Sequence, residues 1–336
     1  MEIGICESIK KLRKKYNISQ EVLADSLGIT VQAISKWENG KAYPNIILLP
    51  KIADYFHVSI DILFQGGMED ANEVLPDKTY ELLDLNGNSW DCIGDSEWCG
   101  TSLPDYGPFT VGEESLNLFG DLENKTVLEI ACGDGRSLLY NAQRGARELW
   151  GLDISPRQID KAKTLLRENR VKAQLLVSPM EINPGIPFHY FDCVYSIYGL
   201  GWNMDLSKTI GLISRYLKTN GVFIFSWDNP LMQCLSSENG KYVLSRPYIS
   251  EPEIPMQKAG QPLCIKNWKL SSYINCLSRH GFKVEKLIEQ SNVLPEDAAL
   301  VVRRENRKDA DRPEKFYSPG KAAYINNAII LKARKL

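Results

Sequence analysis

Apolar residues recur along this chain at two spacings, and the change from one to the other divides it. Near the N-terminus Ile5, Ile9 and Leu12 form a helical stripe, with Lys10, Lys11, Lys14 and Lys15 on the facing side. Ser19 is placed to N-cap a second helix that runs through Leu27 and stops at Gly28, and Thr30 to N-cap a third through Asn39, stopped by Gly40. Further helices are expected around Leu48 to Phe56, with Pro50 in the first turn, and at Ile60 to Phe64. From residue 125 the pattern becomes one of short apolar runs separated by helical stretches. The runs are Val127 to Ile130, Leu149 to Leu152, Lys172 to Val177, Tyr190 to Ile197 and Val222 to Trp227. Strands alternating with helices predict an α/β doubly wound parallel sheet, whose ligand crevice lies at the carboxyl ends of the strands. A helix at Asn267 to Arg279 and strands at Phe282 to Ile288 and Ala328 to Arg334 complete the series.

The first run of that series feeds into a glycine turn and a helix start, Arg136 to Tyr140. Gly133 and Gly135 permit a tight turn and close backbone approach to a ligand. Eighteen residues beyond Gly135 stands Asp153, at the end of the second run, where an acid can accept both hydroxyls of a ribose. Glu129, immediately before the turn, suits the ammonium of an amino acid and would repel a pyrophosphate. The third glycine of a dinucleotide fingerprint is absent, its place taken by Leu138.

Composition narrows the picture. At 336 residues two domains are expected, and a formal net charge of -2 excludes a globally basic nucleic-acid binder while leaving room for a basic patch. No apolar run reaches the ~18 residues of a membrane helix, and no basic segment leads into an apolar N-terminal core. Eight cysteines without a C-x-x-C pair, beside three histidines, point to reduced thiols, no metal site and a cytoplasmic protein. Residues 65–77 are acidic with Gly and Pro and read as linker, giving the division 1–66, linker 67–89, and 90–336. Within the last part, Trp90, Trp98, Tyr106 and Phe109 lie among Gly and Pro, either as a flap over the core or as an aromatic lid over a ligand. Residues 229–266, rich in proline and without a period, read as an insertion.

The N-terminal pattern resembles the phage-repressor-like, XRE-type helix-turn-helix family over residues 4–64. The resemblance rests on the runs Ile18 to Ala24, Leu27 to Thr30 and Ile34 to Lys41, closed by Ile52 to Phe56 and Val58 to Leu63. It implies a small all-α DNA-binding domain whose third helix enters the major groove of double-stranded DNA. Thr30, Val31, Gln32 and Lys36 then lie near base edges, and Gln20, Asn39 and Lys41 at phosphates. Arg13 and Glu38 match positions that pair inside the fold. Residues 1–64 hold 8 Lys and Arg against 7 Asp and Glu, a net of +1, so affinity is expected to come from clustered lysines and a homodimer on two half-sites.

The remainder resembles class I S-adenosylmethionine-dependent methyltransferases, best over residues 125–230. Asp192 to Ile197 with Gly199 to Trp202, then Leu217 to Phe225, match the fourth strand and the turn before the fifth. The resemblance implies a Rossmann-like, mostly parallel seven-stranded sheet and S-adenosylmethionine as cofactor, with residues 90–124 as a lid and 229–266 shaping the substrate pocket. It assigns Glu129, Gly133 and Gly135 to the methionine end, Asp153 to the ribose, Ile154 to the adenine face, and Met180 and Glu181 to the adenine edge. Ser196 falls near the sulfonium and Tyr106 on the lid. For Ile154 and Met180 ordinary core packing is the competing reading, and Arg136 either helps hold the carboxylate or is exposed. Ala131 departs from the family, whose loop has glycine there.

No motif fixes a general base; His189 and His280 read as structural. Tyr198, Trp202 and Asp228 are placed by strand order at the crevice mouth as pocket candidates. The Pro-Pro-aromatic signature of DNA amino-methyltransferases and the Pro-Cys of cytosine-C5 enzymes are both absent. DNA is then an address and a small molecule the methyl acceptor. The competing readings are a transcriptional regulator that senses S-adenosylmethionine or a metabolite without turnover, and an RNA or protein methyltransferase.

Overall fold

A computed structural model describes residues 5–15, 18–56, 63, 75–93, 104–238, 241–292 and 322–336. The chain divides into two compact units, one of Met1–Leu75 with the short segment Gly185–Phe188, and a larger one built from Pro76–Pro184 and His189–Leu336.

The first unit contains α1 (Ile5–Lys15), α2 (Gln20–Leu27), α3 (Val31–Glu38) and α4 (Leu49–Tyr55). The expected caps are present: Ser19 Oγ accepts from Val22 N and Thr30 Oγ1 from Ala33 N, both at 3.3 Å. Gly28 adopts φ 69° and returns its N–H to the last turn of α2, so the chain reverses within three residues. Pro50 lies in the first turn of α4, where no amide hydrogen is needed. Ile9, Leu23, Ile34, Trp37, Ile52 and Phe56 form the core. Against it Arg13 and Glu38 pair in two parallel bonds, Nε to Oε1 at 2.5 Å and Nη2 to Oε2 at 2.9 Å. Of the helix expected at Ile60 to Phe64, only Leu63 lies among the described residues.

The second unit opens with α5 (Asp77–Ile93) and α6 (Glu113–Leu116). Then β1 (Thr126–Ile130), β2 (Glu148–Asp153), β3 (Gln174–Val177), β4 (Phe191–Ser196) and β5 (Leu217–Asp228) alternate with α7 (Arg136–Gln143), α8 (Pro156–Glu168) and α9 (Leu206–Tyr216). Two hairpins follow, β6 (Leu235–Glu238) with β7 (Lys241–Leu244), and β8 (Glu253–Lys258) with β9 (Gln261–Lys266). Last come α10 (Leu270–Arg279), β10 (Phe282–Ile288) and β11 (Ala328–Lys335). Seven strands form one sheet in the order β10-β11-β5-β4-β1-β2-β3. β1 to β5 run parallel, and β11 lies antiparallel to both β5 and β10, which gives the mostly parallel seven-stranded sheet the resemblance implied. β1 is buried along its whole length at the centre, which is why it reads as an uninterrupted apolar run apart from Glu129.

Residues 77–89 belong to a helix and not to a linker, since α5 packs on the rest of its unit. Asn86 Nδ2 donates to the Cys264 carbonyl at 2.8 Å and Asn86 Oδ1 accepts from Cys264 N at 2.9 Å, while Ser89 Oγ donates to the Pro262 carbonyl. Lys78 pairs with Glu253 at 2.5 Å, and Asp91 accepts from Ser155 Oγ at 2.5 Å at the start of α8. The buried face of this helix therefore carries polar side chains, and an apolar period does not reveal it. Residues 229–266, read from the sequence as an insertion after the fifth strand, contain the two hairpins; Pro255 and Pro262 are accommodated because a two-stranded ribbon has only edges.

Candidate functional sites

β1 delivers Glu129 to the carboxyl end of the sheet's interior, and the chain then turns through three left-handed residues, Ala131 (φ 58°), Gly133 (φ 51°) and Gly135 (φ 80°). Gly135 starts α7 so close to α8 that a Cβ would stand 2.9 Å from the Cβ of Ala162. Ala131 holds the same backbone region at a cost of about 1 kcal/mol relative to glycine, with its methyl facing Gly199. Asp153, at the end of β2, closes the turn by accepting from Gly133 N and Ser155 N, each at 2.9 Å.

The carboxylates of this turn are buried, and their acidities follow. Burial pushes Glu129 up to about 8, against the opposing bonds from Ser137 Oγ and Tyr195 Oη. Asp153 is raised to about 6 by burial, partly offset by the amides of Ser155 and Gly133. Glu181 is raised to about 7 by burial; its Oε1 accepts from Met204 N at 2.6 Å, while its buried Oε2 has no hydrogen-bond partner.

A cavity of about 600 Å³ opens at the carboxyl ends of the strands. It brings together Glu129, Gly133, Asp153, Ile154, Met180 and Glu181 of the expected cofactor set, and Tyr198, Trp202 and Asp228 of the expected pocket set. Three expected residues lie off its wall. Gly135 acts as the helix start described above. Ser196 is fully buried, its Oγ without a partner. Tyr106 packs in the core and donates to Glu113 Oε2 at 2.5 Å; its neighbours Asp105 and Gly107 face the cavity instead, which removes Tyr106 from the lid. Arg136 is half-exposed on the wall and paired with Asp134 at 2.9 Å. Sequence reasoning missed Asn86 on α5, and Gln233, Met256 and Lys258 from the hairpin region, all of which line the cavity. Trp90 lies there too, carried by α5 and not by an irregular lid.

On the first unit, Thr30, Gln32, Lys36, Asn39 and Lys41 are exposed along α3 and at its ends, whereas Val31 is half-buried against the core. Gln20 Nε2 donates to Glu38 Oε2 at 2.8 Å, so its amide joins the Arg13 pair within the unit. Burial opposes ionisation of Glu38, yet the hydrogen bonds from Arg13 and Gln20 outweigh it and hold the carboxyl below its ordinary range.

Fold and sites define two classes of module in one chain, an N-terminal helix-turn-helix regulatory domain and a class I methyltransferase fold. Residues 9–63 match the family described as Helix-turn-helix, and residues 128–225 the family described as Methyltransferase domain. The N-terminal unit is similar to the HTH-type transcriptional activator BcrR of Enterococcus faecalis, with 47% identity over 60 residues, 18% of this chain and 29% of that protein. It is also similar to the prophage-derived HTH-type transcriptional regulator YonR of Bacillus subtilis, with 39% identity over 83 residues, 24% of this chain and 77% of that protein. The second unit has the fold of an S-adenosylmethionine-dependent methyltransferase from Mesorhizobium loti, at 18% identity and a TM-score of 0.51, covering 66% of this chain and 96% of that one. This chain thus belongs to the helix-turn-helix family through its first unit, joined to a class I methyltransferase fold. It spans less than a third of BcrR, so the likeness is one of domains and not of whole proteins. Among the described residues no helix is long and apolar enough to cross a membrane.

Proposed function

We propose that this chain is an S-adenosylmethionine-dependent methyltransferase acting on a small molecule and addressed to DNA by its first unit. The carrying observation is the pair of buried carboxylates, Glu129 and Asp153, on either side of the glycine turn at the cavity floor. The donor set fits the cofactor. Glu129 suits its ammonium, Asp153 its ribose hydroxyls, and the unpartnered Oε2 of Glu181 the adenine amine, with Ile154 and Met180 against the ring. Once bound, the cofactor supplies a methyl group on a positively charged sulfur. The chain holds the acceptor in line with that methyl group and excludes water, and alignment supplies much of the acceleration. The acceptor end is walled by α5 and the β8–β9 hairpin, which suits a small molecule better than a duplex. Incubation of the purified protein with S-adenosylmethionine and extracts of its host should yield S-adenosylhomocysteine. Binding without any turnover would leave only the reading of a metabolite sensor.

Two expected results follow from this reading. Glu129 is protonated below about 8 and must ionise to face an ammonium, so binding releases a proton; Asp153 and Glu181 act with the same sign. The dissociation constant for S-adenosylhomocysteine should therefore rise as pH falls below about 8, by up to ~tenfold per unit at first and more steeply once Glu181 and then Asp153 also take up protons. Calorimetry in two buffers of different ionisation enthalpy reads that proton directly, and zero release near neutral pH contradicts the assignment. For the first unit, Gln32→Ala and Lys36→Ala, both at exposed positions of α3, should weaken retardation of the protein's own promoter DNA, each by about 1–3 kcal/mol if it reads a base. Unchanged retardation would remove α3 from the interface. A homodimer on two half-sites is the proposed assembly, because one such module neutralises too few phosphates for tight binding.

A further inference from the structure

The acceptor end of the cavity is walled by aromatic rings, and the chain makes room for them. Trp202 meets Trp90 edge to face at 5.1 Å between centroids and Trp227 at 5.5 Å, while Tyr198 lies 5.3 Å from Trp227. Two glycines permit this packing: a Cβ on Gly201 would fall 1.7 Å from the Trp227 ring, and one on Gly107 would fall 2.4 Å from the Tyr198 ring. Tyr198 itself holds a left-handed backbone, φ 55°, with its N–H bonded to Ser226 Oγ at 3.1 Å. Beside the rings stands Asp228, 3% exposed, whose Oδ1 accepts from Tyr198 Oη and whose Oδ2 accepts from Gln233 Nε2 at 3.1 Å. The outermost ring, Trp90, is already taken by a cation of the chain, Lys258 Nζ lying 4.6 Å from its centre, which leaves Trp202, Trp227 and Tyr198 beside Asp228.

Ring faces carry negative potential, and several of them around a carboxylate in a water-poor space favour a cation over a neutral or anionic group. We infer that the methyl acceptor is a basic amine, bound as an ammonium among Trp202, Trp227 and Tyr198 with Asp228 as its counter-ion and proton acceptor. The inference rests on the methyltransferase reading above and names its substrate class. In the transfer the ammonium gives one proton to the Asp228 carboxylate. The freed lone pair on nitrogen forms the new N–C bond to the methyl group as the C–S bond breaks, and that bond's electron pair stays on sulfur. The product leaves as a methylated ammonium, and Asp228 returns its proton to water.

The test uses the full chain saturated with S-adenosylhomocysteine and the probes benzyltrimethylammonium, benzyl alcohol and phenylacetate, with binding followed by ligand-observed NMR. The cation should bind at least ~tenfold more tightly than either of the others. Asp228→Asn and Trp202→Leu should each remove most of that preference, leaving the S-adenosylhomocysteine affinity within about threefold of the parent. Equal binding of the three probes, or a preference that survives both substitutions, overturns the inference. So does a Trp202→Leu variant that loses S-adenosylmethionine but not S-adenosylhomocysteine, because the rings would then serve the sulfonium and not the acceptor. Failure of S-adenosylhomocysteine itself to bind overturns the methyltransferase reading instead, so the two failures are distinguishable.

Discussion

Replacing Asp153 by alanine is expected to raise the dissociation constant for S-adenosylhomocysteine at least ~100-fold, through loss of two charge-assisted hydrogen bonds worth about 1.5–3 kcal/mol each. The side chain stands where the end of β2 meets the glycine turn and already holds Gly133 N and Ser155 N at 2.9 Å. It therefore acts twice: its remaining acceptor capacity faces the cavity, and its existing bonds fix the shape of the loop that a ligand must meet. Alanine removes both contributions, whereas Asp153→Asn keeps one acceptor oxygen and should fall between parent and alanine. Calorimetry at about pH 8, where burial no longer keeps Asp153 protonated, measures the effect. Circular dichroism checks that the sheet survives. An alanine variant that binds within about threefold of the parent would remove Asp153 from the cofactor site.

The second large effect is on stability. Glu38→Ala leaves the Arg13 guanidinium, only 15% exposed as a side chain, against the apolar core of the first unit without its carboxylate. Breaking such a pair costs about 3–5 kcal/mol, and Gln20 loses its partner as well. A unit of this size has roughly 3–5 kcal/mol to lose, so the variant should be largely unfolded in its first unit and inert towards DNA. Hydrogen exchange followed by mass spectrometry should show peptides from α1 to α3 unprotected and those from β1, β4 and β5 unchanged. The double change Arg13→Met with Glu38→Leu should recover much of the protection, because it leaves no unpaired charge. Full protection of α1 in Glu38→Ala would contradict the role given to the pair.

The parts of this chain that were legible in its sequence are those whose signals are local. Ser19, Gly28 and Thr30 announce the helix boundaries because capping depends on the few residues around each one. β1, β4 and β5 announce themselves because strands covered on both faces have no solvent side to interrupt the apolar run. Glu129 and Asp153 stood out because a carboxylate at the end of such a run has no reason to be there for packing alone.

What was not legible depends on contacts distant in sequence. α5 is held by Asn86, whose partner Cys264 lies 178 residues away, and no periodicity within 77–93 could show that an asparagine and a serine face inward. The same distance hides the acceptor end, where Trp90 on α5, Tyr198 after β4, and Trp227 and Asp228 at the end of β5 are brought together only by the fold. Tyr106 illustrates the opposite error. An aromatic residue among Gly and Pro suggests a lid, but Glu113 offers its hydroxyl a buried acceptor and draws the ring into the core. Ala131 keeps the backbone region of the glycine it replaces, and its methyl fits because the facing residue, Gly199, has none.

Titration of the purified full chain with S-adenosylhomocysteine in a calorimeter tests the central claim most directly, that Glu129, Asp153 and the turn between them form a working cofactor site. Saturable binding of one ligand per chain, lost in Asp153→Ala and accompanied by proton release near neutral pH, is the predicted result. Absence of binding by the folded parent protein, or binding indifferent to Asp153 and to pH, would contradict it.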